Sequence, residues 1–233
     1  MAAVHRLALK REDNKLSSIK AGFKSSENLT KWIRYVLYAQ ILIAVLAIIF
    51  QLIEYQLLSA FQEGVYDSLP AAFADGKQAI EILQIIGIAS LIAFVASALL
   101  ILQWIYRANE NARQLGPHKM HYTPAWSIAY YFIPVFNLWK PYLAMKEIWL
   151  ANKNPLDERF NKSRFILPLW WTLWLLSNLL GQSIFRLSAS AEKLPELLNL
   201  NLISQASNVI DILLAVVTYS MINTIYQMQS SHK

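Results

Sequence analysis

The 233-residue sequence contains no cysteine, which excludes disulfides, thiolate metal sites and cysteine nucleophiles. Charged residues make up only 15 % of the chain, whereas a soluble domain carries about a quarter. Glycine is also scarce, at 6 residues, and the apolar runs lack the alternating pattern of barrel strands. These absences argue against a soluble domain and against an outer-membrane barrel.

What the sequence has in abundance is apolar residues, 56 % of the chain, gathered mostly into long runs. Four runs are long enough to cross the roughly 30 Å hydrocarbon layer, which takes about 20 helical residues. They lie near Trp32–Gln56, Ile80–Tyr106, Phe165–Phe185 and Val209–Tyr226. The first run starts too late and is too long to be the core of a cleavable signal. We therefore predict an all-α, polytopic transmembrane bundle with four spanning helices.

The positions of Lys and Arg orient these helices, because basic residues avoid translocated loops. Of the 21 basic residues, 18 lie in three places. These are the N-terminal segment up to and including Arg34, the segment from Arg107 to Arg164, and the C-terminal residue. This predicts that both termini are cytoplasmic and that Phe61–Gln78 and Arg186–Asn208 are the outer loops. The expected organisation is a basic cytoplasmic tail over 1–31, a membrane domain over 32–228 and a short cytoplasmic tail over 229–233.

The segment Pro124–Ala151 is also apolar, but it is interrupted by Pro134, which removes an amide and disrupts a helix. Each half is too short to span the bilayer. We predict two short helices that form a re-entrant or interfacial element on the cytoplasmic side. Pro141 is expected in the first turn of the second helix, where its missing amide costs nothing. Seven of the eight tryptophans fall between Trp104 and Trp174, which indicates an aromatic belt at that interface.

The residues around this segment resemble a known family. The chain reads W-I-Y-R-A-N-E-N-A-R-Q-L-G over Trp104–Gly116 and Y-T-P-A-W-S-I-A-Y-Y-F-I-P-V-F-N-L-W-K-P-Y over Tyr122–Tyr142, followed by L-P-L-W-W-T-L-W over Leu167–Trp174. This pattern closely resembles the DUF4328 family of bacterial membrane proteins, whose function is unassigned. The resemblance implies the fold and a bacterial inner-membrane location. It implies no activity and no catalytic residues.

One polar constellation follows the second predicted span and continues into the proline-broken segment. Its members are Arg107, Asn109, Glu110, Asn111, Arg113, Asn137, Lys140 and Glu147. On a continuing helix, Arg107 neighbours Glu110 and Asn111, while Asn109 neighbours Arg113. The set suits either a pocket for an anionic headgroup or small anion, or a structural network that pins the segment to the helix.

A second set of polar residues lies towards the outer ends of the predicted spans. Its members are Glu54, Glu81, Gln84, Gln182 and Asp211. Acidic groups within spans are costly and often functional, so a convergent set would form an outer vestibule for cations or protons. Each carboxylate also lies close enough to a predicted boundary to reach water directly.

The sequence lacks recognised catalytic and metal-binding motifs. His118 and His121 lie three residues apart without companion ligands, so we expect neither a metal nor a cofactor. The net charge of +6 lies on the predicted cytoplasmic side, which favours anionic lipid headgroups as partners rather than nucleic acid. The most favoured function is a non-enzymatic membrane scaffold, sensor or assembly partner, and a second copy of the chain or another membrane protein is a further candidate partner. The alternatives are a small oligomeric transporter or channel, and a lipid-acting enzyme at the cytoplasmic interface.

Overall fold

The computed structural model describes residues 24–115, 120–152 and 165–230, and within these ranges all regular structure is helical. The predicted all-α class is confirmed. The helices are, in chain order, α1 (Glu27–Gln62), α2 (Leu69–Asp75), α3 (Lys77–Leu115), α4 (Pro124–Ala129), a 3-10 turn (Phe136–Leu138), α5 (Lys140–Asn152), α6 (Ile166–Ser188) and α7 (Leu194–Ser230).

The chain divides into two compact units. The first unit combines Met1–Trp32, Leu100–Leu167 and Ser220–Lys233, and the second combines Ile33–Leu99 and Pro168–Tyr219. The part of the predicted basic tail before residue 24 lies outside the described residues. The first unit has a core of fully buried side chains that includes Trp104, Ile148 and Ile222.

The second unit leaves much apolar surface uncovered. On α3, Ile85, Leu91 and Phe94 are each more than 60 % exposed, although α3 is among the most apolar helices of the chain. A soluble protein rarely exposes a contiguous apolar face of this kind. The exposed face therefore matches a helix that is surrounded by lipid.

Three helices are long and apolar enough to cross a membrane: Glu27–Gln62, Lys77–Gln114 and Leu194–Ser230. They indicate a membrane protein, but their number is three and not the four predicted. Helix α6 has the required length, at 23 residues, since about 20 suffice. Its tryptophans and polar residues, among them Asn178 and Gln182, lower its mean hydropathy.

The last helix begins much earlier than the sequence predicted. The predicted span near Val209–Tyr226 is the C-terminal part of α7, which starts at Leu194, so Arg186–Asn208 is mostly helix and not a loop. Glu196 accepts hydrogen bonds from the amides of Glu192 and Lys193 at 3.0 and 3.2 Å. This satisfies amides that the first turn of a helix leaves unpaired.

The predicted outer loop Phe61–Gln78 contains the short helix α2. Its N-cap is Ser68, whose hydroxyl accepts from the amide of Ala71. The Tyr66 hydroxyl donates to Asp75 at 2.5 Å, which ties the loop to the end of α2. Gly76 lies against the side chain of Leu57, and a Cβ at this position would come within 2.0 Å of Leu57 Cδ1. A larger residue at position 76 would therefore have to displace the end of the Leu57 side chain.

The segment predicted to be broken at Pro134 is broken there. Helix α4 ends at Ala129 and α5 starts at Lys140, so Pro141 lies in the first turn of α5 as predicted. Val135 has φ 70° and ψ −53°, and the Phe136 amide donates to the Pro134 carbonyl at 2.8 Å. These features define a γ-turn of the rare, strained kind, in a β-branched residue that seldom adopts positive φ.

Candidate functional site

The first unit uses Asn109 and Arg113 of α3 to hold the irregular backbone that precedes α4. Asn109 Nδ2 donates to the Tyr122 carbonyl at 3.0 Å and to Ser127 Oγ at 2.8 Å. Arg113 donates to the carbonyls of Tyr122, at 2.6 Å, and Met120, at 3.3 Å. Its Nε also donates to Asn109 Oδ1 at 3.0 Å, which fixes the orientation of the asparagine amide.

Glu147 of α5 holds the amides of the same backbone. Its Oε1 accepts from the His121 amide at 2.6 Å, and its Oε2 accepts from the Tyr122 amide at 3.0 Å. His121 Nδ1 lies 3.0 Å from Oε1. Residues 120–122 are therefore held through their carbonyls by α3 and through their amides by α5, and both carboxylate oxygens of Glu147 are engaged.

Asn111 lies on another face of α3 and bonds the backbone that leads into α1. Its side-chain amide pairs with the main chain of Lys24 in both directions, accepting at 3.1 Å and donating at 3.0 Å. Gln229, near the end of α7, donates to the Ala108 carbonyl at 3.0 Å and accepts from Asn111 Nδ2 at 3.4 Å. Asn109, Asn111 and Gln229 are each no more than 1 % exposed, so this is a buried polar network.

The charged residues beside Asn111 bond to the same entry segment. Arg107 Nη1 donates to the Ser25 carbonyl at 3.0 Å. Lys24 Nζ forms an ion pair with Glu110 at 3.2 Å. Trp104 Nε1 donates to Thr30 Oγ1 at 3.2 Å in the buried core. The start of α1 is thus joined to α3 through main-chain and side-chain contacts.

Lys140 lies within an aromatic cluster and not in the asparagine network. Its ammonium lies 5.6 Å from the centroid of the Tyr122 ring and 5.8 Å from that of Tyr130, within the range of a cation–π contact. Phe136 packs edge-on against Tyr130 and Trp139 at 6.1 and 5.9 Å. These rings form one cluster on the segment, and the interfacial aromatic belt stays a prediction.

The predicted constellation is therefore two networks and an aromatic cluster. The predicted pairing of Asn109 with Arg113 is present. Asn109, Arg113 and Glu147 meet around Tyr122, whereas Arg107, Glu110 and Asn111 meet around Lys24 and Ser25. Asn137 is part of neither network, since the hydrogen bond it contributes among the described residues is from its backbone amide, to the Ile133 carbonyl at 3.0 Å.

A shallow groove of about 300 Å³ lies beside Glu147. It is lined by Met120, His121, Tyr122, Leu143, Lys146, Glu147, Leu150 and Ala151. The carboxylate that faces it is already bonded to two backbone amides. An acid–base role for Glu147 would require these bonds to break.

The second unit contains a polar contact between α1 and α7. Asn201 Nδ2 donates to Glu54 Oε2 at 2.7 Å and to the Gln51 carbonyl at 2.9 Å. Asn208 donates to Gln51 Oε1 at 3.0 Å, and Gln205 donates to Asn201 Oδ1 at 2.6 Å. Glu54 is therefore held by an amide and has no ion-pair partner among the described residues.

Asp211 makes a separate contact with α6. Ser177 Oγ donates to Asp211 Oδ1 at 2.5 Å. Asp211 lies near the middle of the 37-residue helix α7. It is therefore not at the start of its helix, and its position at the start of the last span stays a prediction.

The five residues of the predicted outer vestibule do not converge. Glu54 bonds Asn201 and Asp211 bonds Ser177, whereas Glu81 pairs with Lys77 at 3.9 Å on the exposed surface of α3. Gln84 and Gln182 are exposed. Within the described part of the chain, no hydrogen bond joins two of the five residues, and a ligand for any of them stays a prediction.

The hydrogen bonds of Asn201, Asn208 and Gln229 to other helices were not predicted, because the first two residues were assigned to a loop and the third to a tail. A periodic signal was available. Alternating steps of three and four residues along α7 lead through positions 201, 204, 208, 211, 215, 218, 222, 225 and 229, which are buried or half-buried. This heptad spacing is typical of the inward face of a packed helix. We call these positions the α7 stripe.

Comparison with known proteins adds a family and no activity. The family described as "Domain of unknown function (DUF4328)" matches residues 69–227, which is more than half of the chain. No curated protein and no solved structure matches the chain.

Proposed function

The chain belongs to the DUF4328 family, and on that premise we propose that it is a non-enzymatic scaffold, sensor or assembly partner in the bacterial inner membrane. The observation that carries this proposal is that the side chains of its strongest polar constellation are already hydrogen-bonded within the protein. Arg107, Asn109, Asn111, Arg113 and Glu147 all bond the backbone of the same chain. Groups engaged in this way stabilise a fold, and the donors and acceptors that make these bonds are not available to a substrate.

The proposed topology has four crossings, with α1, α3, α6 and α7 as the spans and both termini in the cytoplasm. The concentration of basic residues supports this orientation. Helix α6 is included because two cytoplasmic termini require an even number of crossings. Its 23 residues correspond to about 35 Å, which is enough for the hydrocarbon layer.

The segment from α4 to α5 is proposed to lie along the cytoplasmic face or to dip into it. Neither helix is long enough to span the bilayer. Phe132, Val135 and Leu138 surround the strained turn and are 70, 63 and 53 % exposed. Exposed apolar side chains beside an aromatic cluster match the environment at lipid headgroup level. Anionic headgroups there, and a second copy or another membrane protein, are the partners we propose.

The topology is tested by single cysteines, since the native chain has none. We would introduce Ala74→Cys, Asn154→Cys and Ser190→Cys and probe intact cells with a membrane-impermeant thiol reagent. Ala74 and Ser190 are exposed, so both should label, while position 154 should label only after the cells are opened. Labelling at 154 without labelling at 190 in intact cells would refute the four-span topology.

The non-enzymatic role is tested with purified protein and vesicles containing a panel of anionic lipids. We expect every lipid to remain unaltered. We also expect Arg107→Ala to lower thermal stability without changing lipid selectivity, because Arg107 donates to the Ser25 carbonyl. The matched control is Arg186→Ala, an exposed arginine in the last turn of α6. Turnover of one lipid, lost on Glu147→Gln with the fold intact, would support the enzyme alternative instead.

A further inference from the structure

Asp211 is fixed at a particular depth by its contact with α6. Ser177, which donates to it, lies at the middle of that 23-residue helix. A helix of this length is only slightly longer than the hydrocarbon layer, so its midpoint must lie near the bilayer centre if α6 crosses. Asp211 then lies at the same depth. This step rests on the four-span topology proposed above.

We propose that Asp211 is a reversible proton-binding site within the hydrocarbon layer, reached from the outer side along the α7 stripe. An ionisable group at this depth is costly and usually functional. When a proton arrives from water, one O–H bond forms on the Asp211 carboxylate. The same bond breaks when the proton returns to water.

Among the residues that the structure describes, no hydrogen bond or ion pair joins Asp211 to a compensating cation. Helix α6 presents the hydroxyl of Ser177, and α7 itself presents that of the buried Ser207, one turn earlier. The ion pairs among the described residues do not include Asp211. On α1, Glu54 accepts a hydrogen bond from Asn201, at the outer end of the stripe, and the ring of Tyr38 packs against that of Tyr219. Arg34 interacts with Tyr219, about two turns of α7 beyond Asp211.

A proton is the ligand that best fits these surroundings. A bare carboxylate within hydrocarbon is strongly disfavoured, and protonation removes the charge. Binding a metal cation would require several oxygen ligands around it. Within the described part of the chain, Asp211 bonds to two hydroxyls, and no group of three potential metal ligands includes it.

The outer half of the stripe is polar and the inner half is mostly apolar. From its outer end inwards the stripe carries Asn201, Ser204 and Asn208 before it reaches Asp211. Polar side chains of α1 and α7 bond along it: Asn201 donates to the Glu54 carboxylate and Asn208 donates to the Gln51 amide oxygen. Polar side chains in sequence provide the hydrogen-bonding partners that a proton or a water molecule needs within a membrane.

Beyond Asp211 the stripe continues with Ala215, Thr218, Ile222 and Ile225, which are buried and, except for Thr218, apolar, and it ends about five turns away at the buried Gln229. The polar path therefore reaches Asp211 from one side only. This arrangement fits a site that senses protonation, and it does not fit a channel that passes protons across the membrane.

The test uses dicyclohexylcarbodiimide, an apolar reagent that adds to carboxylic acids and not to carboxylates. The full-length protein in lipid nanodiscs would be labelled across a pH series, and the modified residue would be mapped by peptide mass spectrometry. We expect labelling at Asp211 that decreases as the pH rises. Asp211→Asn should reduce the label on this peptide at least tenfold, whereas Glu54→Gln should leave it unchanged.

Ser177→Ala separates a proton site from a purely structural hydrogen bond. The Ser177 hydroxyl stabilises the charged carboxylate, so its removal should extend labelling by about one pH unit towards higher pH. The proposal is overturned if Asp211 is unlabelled at every pH, if its labelling is independent of pH, or if Ser177→Ala leaves the profile unmoved. These readings need only the native chain and Ser177→Ala, so they hold even if Asp211→Asn does not fold.

The cysteine experiment keeps the two proposals distinguishable. If positions 74 and 190 label from outside and Asp211 does not react with the carbodiimide, the topology stands and the proton site fails. If position 190 does not label in intact cells, the topology fails, and with it the argument that places Asp211 at the bilayer centre.

Discussion

Replacing Asn109 with alanine should destabilise the first unit by about 2–4 kcal/mol. The side chain is fully buried, and its loss removes the acceptor of Arg113 Nε, which is worth about 1.5–3 kcal/mol for a bond to a charged group. It also removes two donated bonds, but the partners of those bonds keep others. The Tyr122 carbonyl still accepts from Arg113 at 2.6 Å, and Ser127 Oγ still donates to the Thr123 carbonyl at 2.8 Å.

The assay is equilibrium unfolding of the purified protein in mixed micelles, followed by far-UV circular dichroism. The matched control is Asn178→Ala, because Asn178 is exposed and its side-chain amide bonds one turn back in its own helix, to the Trp174 carbonyl; its cost should stay within about 0.5 kcal/mol. Ser127→Ala should cost less in the Asn109→Ala background than in the native chain, since the two residues share a bond. Equal costs for Asn109→Ala and Asn178→Ala would refute the network.

Three further predictions concern other contacts. Glu147→Gln should lower the free energy of unfolding by about 1–3 kcal/mol in the same assay, because a carboxamide has one acceptor oxygen for two backbone amides. Glu54→Ala and Asn201→Ala should show a coupling energy of about 0.6 kcal/mol, up to about 1.7, in a double-mutant cycle. The hydrogen bond to Asp75 raises the pKa of Tyr66, so Asp75→Asn should lower that pKa. The phenolate absorbance of Tyr66 should then appear at lower pH, and it is obtained by subtracting the absorbance of Tyr66→Phe from that of the protein that retains Tyr66.

Each of these predictions has a contrary outcome. Glu81→Gln is the control, since Glu81 is an exposed carboxylate in a 3.9 Å ion pair. If it lowers the free energy of unfolding as much as Glu147→Gln does, the bonds of Glu147 to two backbone amides do not stabilise the fold. Additive costs at Glu54 and Asn201 would show that their contact contributes nothing. Because the pKa of Tyr66 is raised, its stabilising contribution is complete below the ordinary tyrosine pKa and is lost as the pH rises through the folded value. An unchanged titration in Asp75→Asn would contradict that linkage.

The local features of the first unit follow from the sequence because their causes are local. A proline has no amide to donate, so the break at Pro134 and the start of α5 at Pro141 can be predicted from one residue each. The bond between Asn109 and Arg113 follows from their four-residue spacing on a helix. The strained turn at Val135 does not follow in this way, since nothing in the residue favours positive φ.

The partners of Asn111 and Glu147 could not be predicted, because they are backbone groups brought together by folding. Asn111 pairs with the main chain of Lys24 and with Gln229, 118 positions away. Glu147 bonds the amides of His121 and Tyr122, and any residue type other than proline could supply an amide there. Residue identity marks an asparagine or a glutamate as capable of such bonds, but it does not mark the backbone that receives them.

The helix boundaries were wrong where polar residues face inwards. Hydropathy averages all sides of a helix, so Asn201 and Asn208 made the start of α7 resemble a loop, and Ser177 lowers the hydropathy of α6 without moving its ends. The polar side chains that reduce the average include those that bond between helices, as Asn201 does to Glu54 and Ser177 does to Asp211. In this chain, a polar residue at heptad spacing within an apolar run therefore indicates an interhelical contact, and a drop in hydropathy there does not indicate the end of a helix.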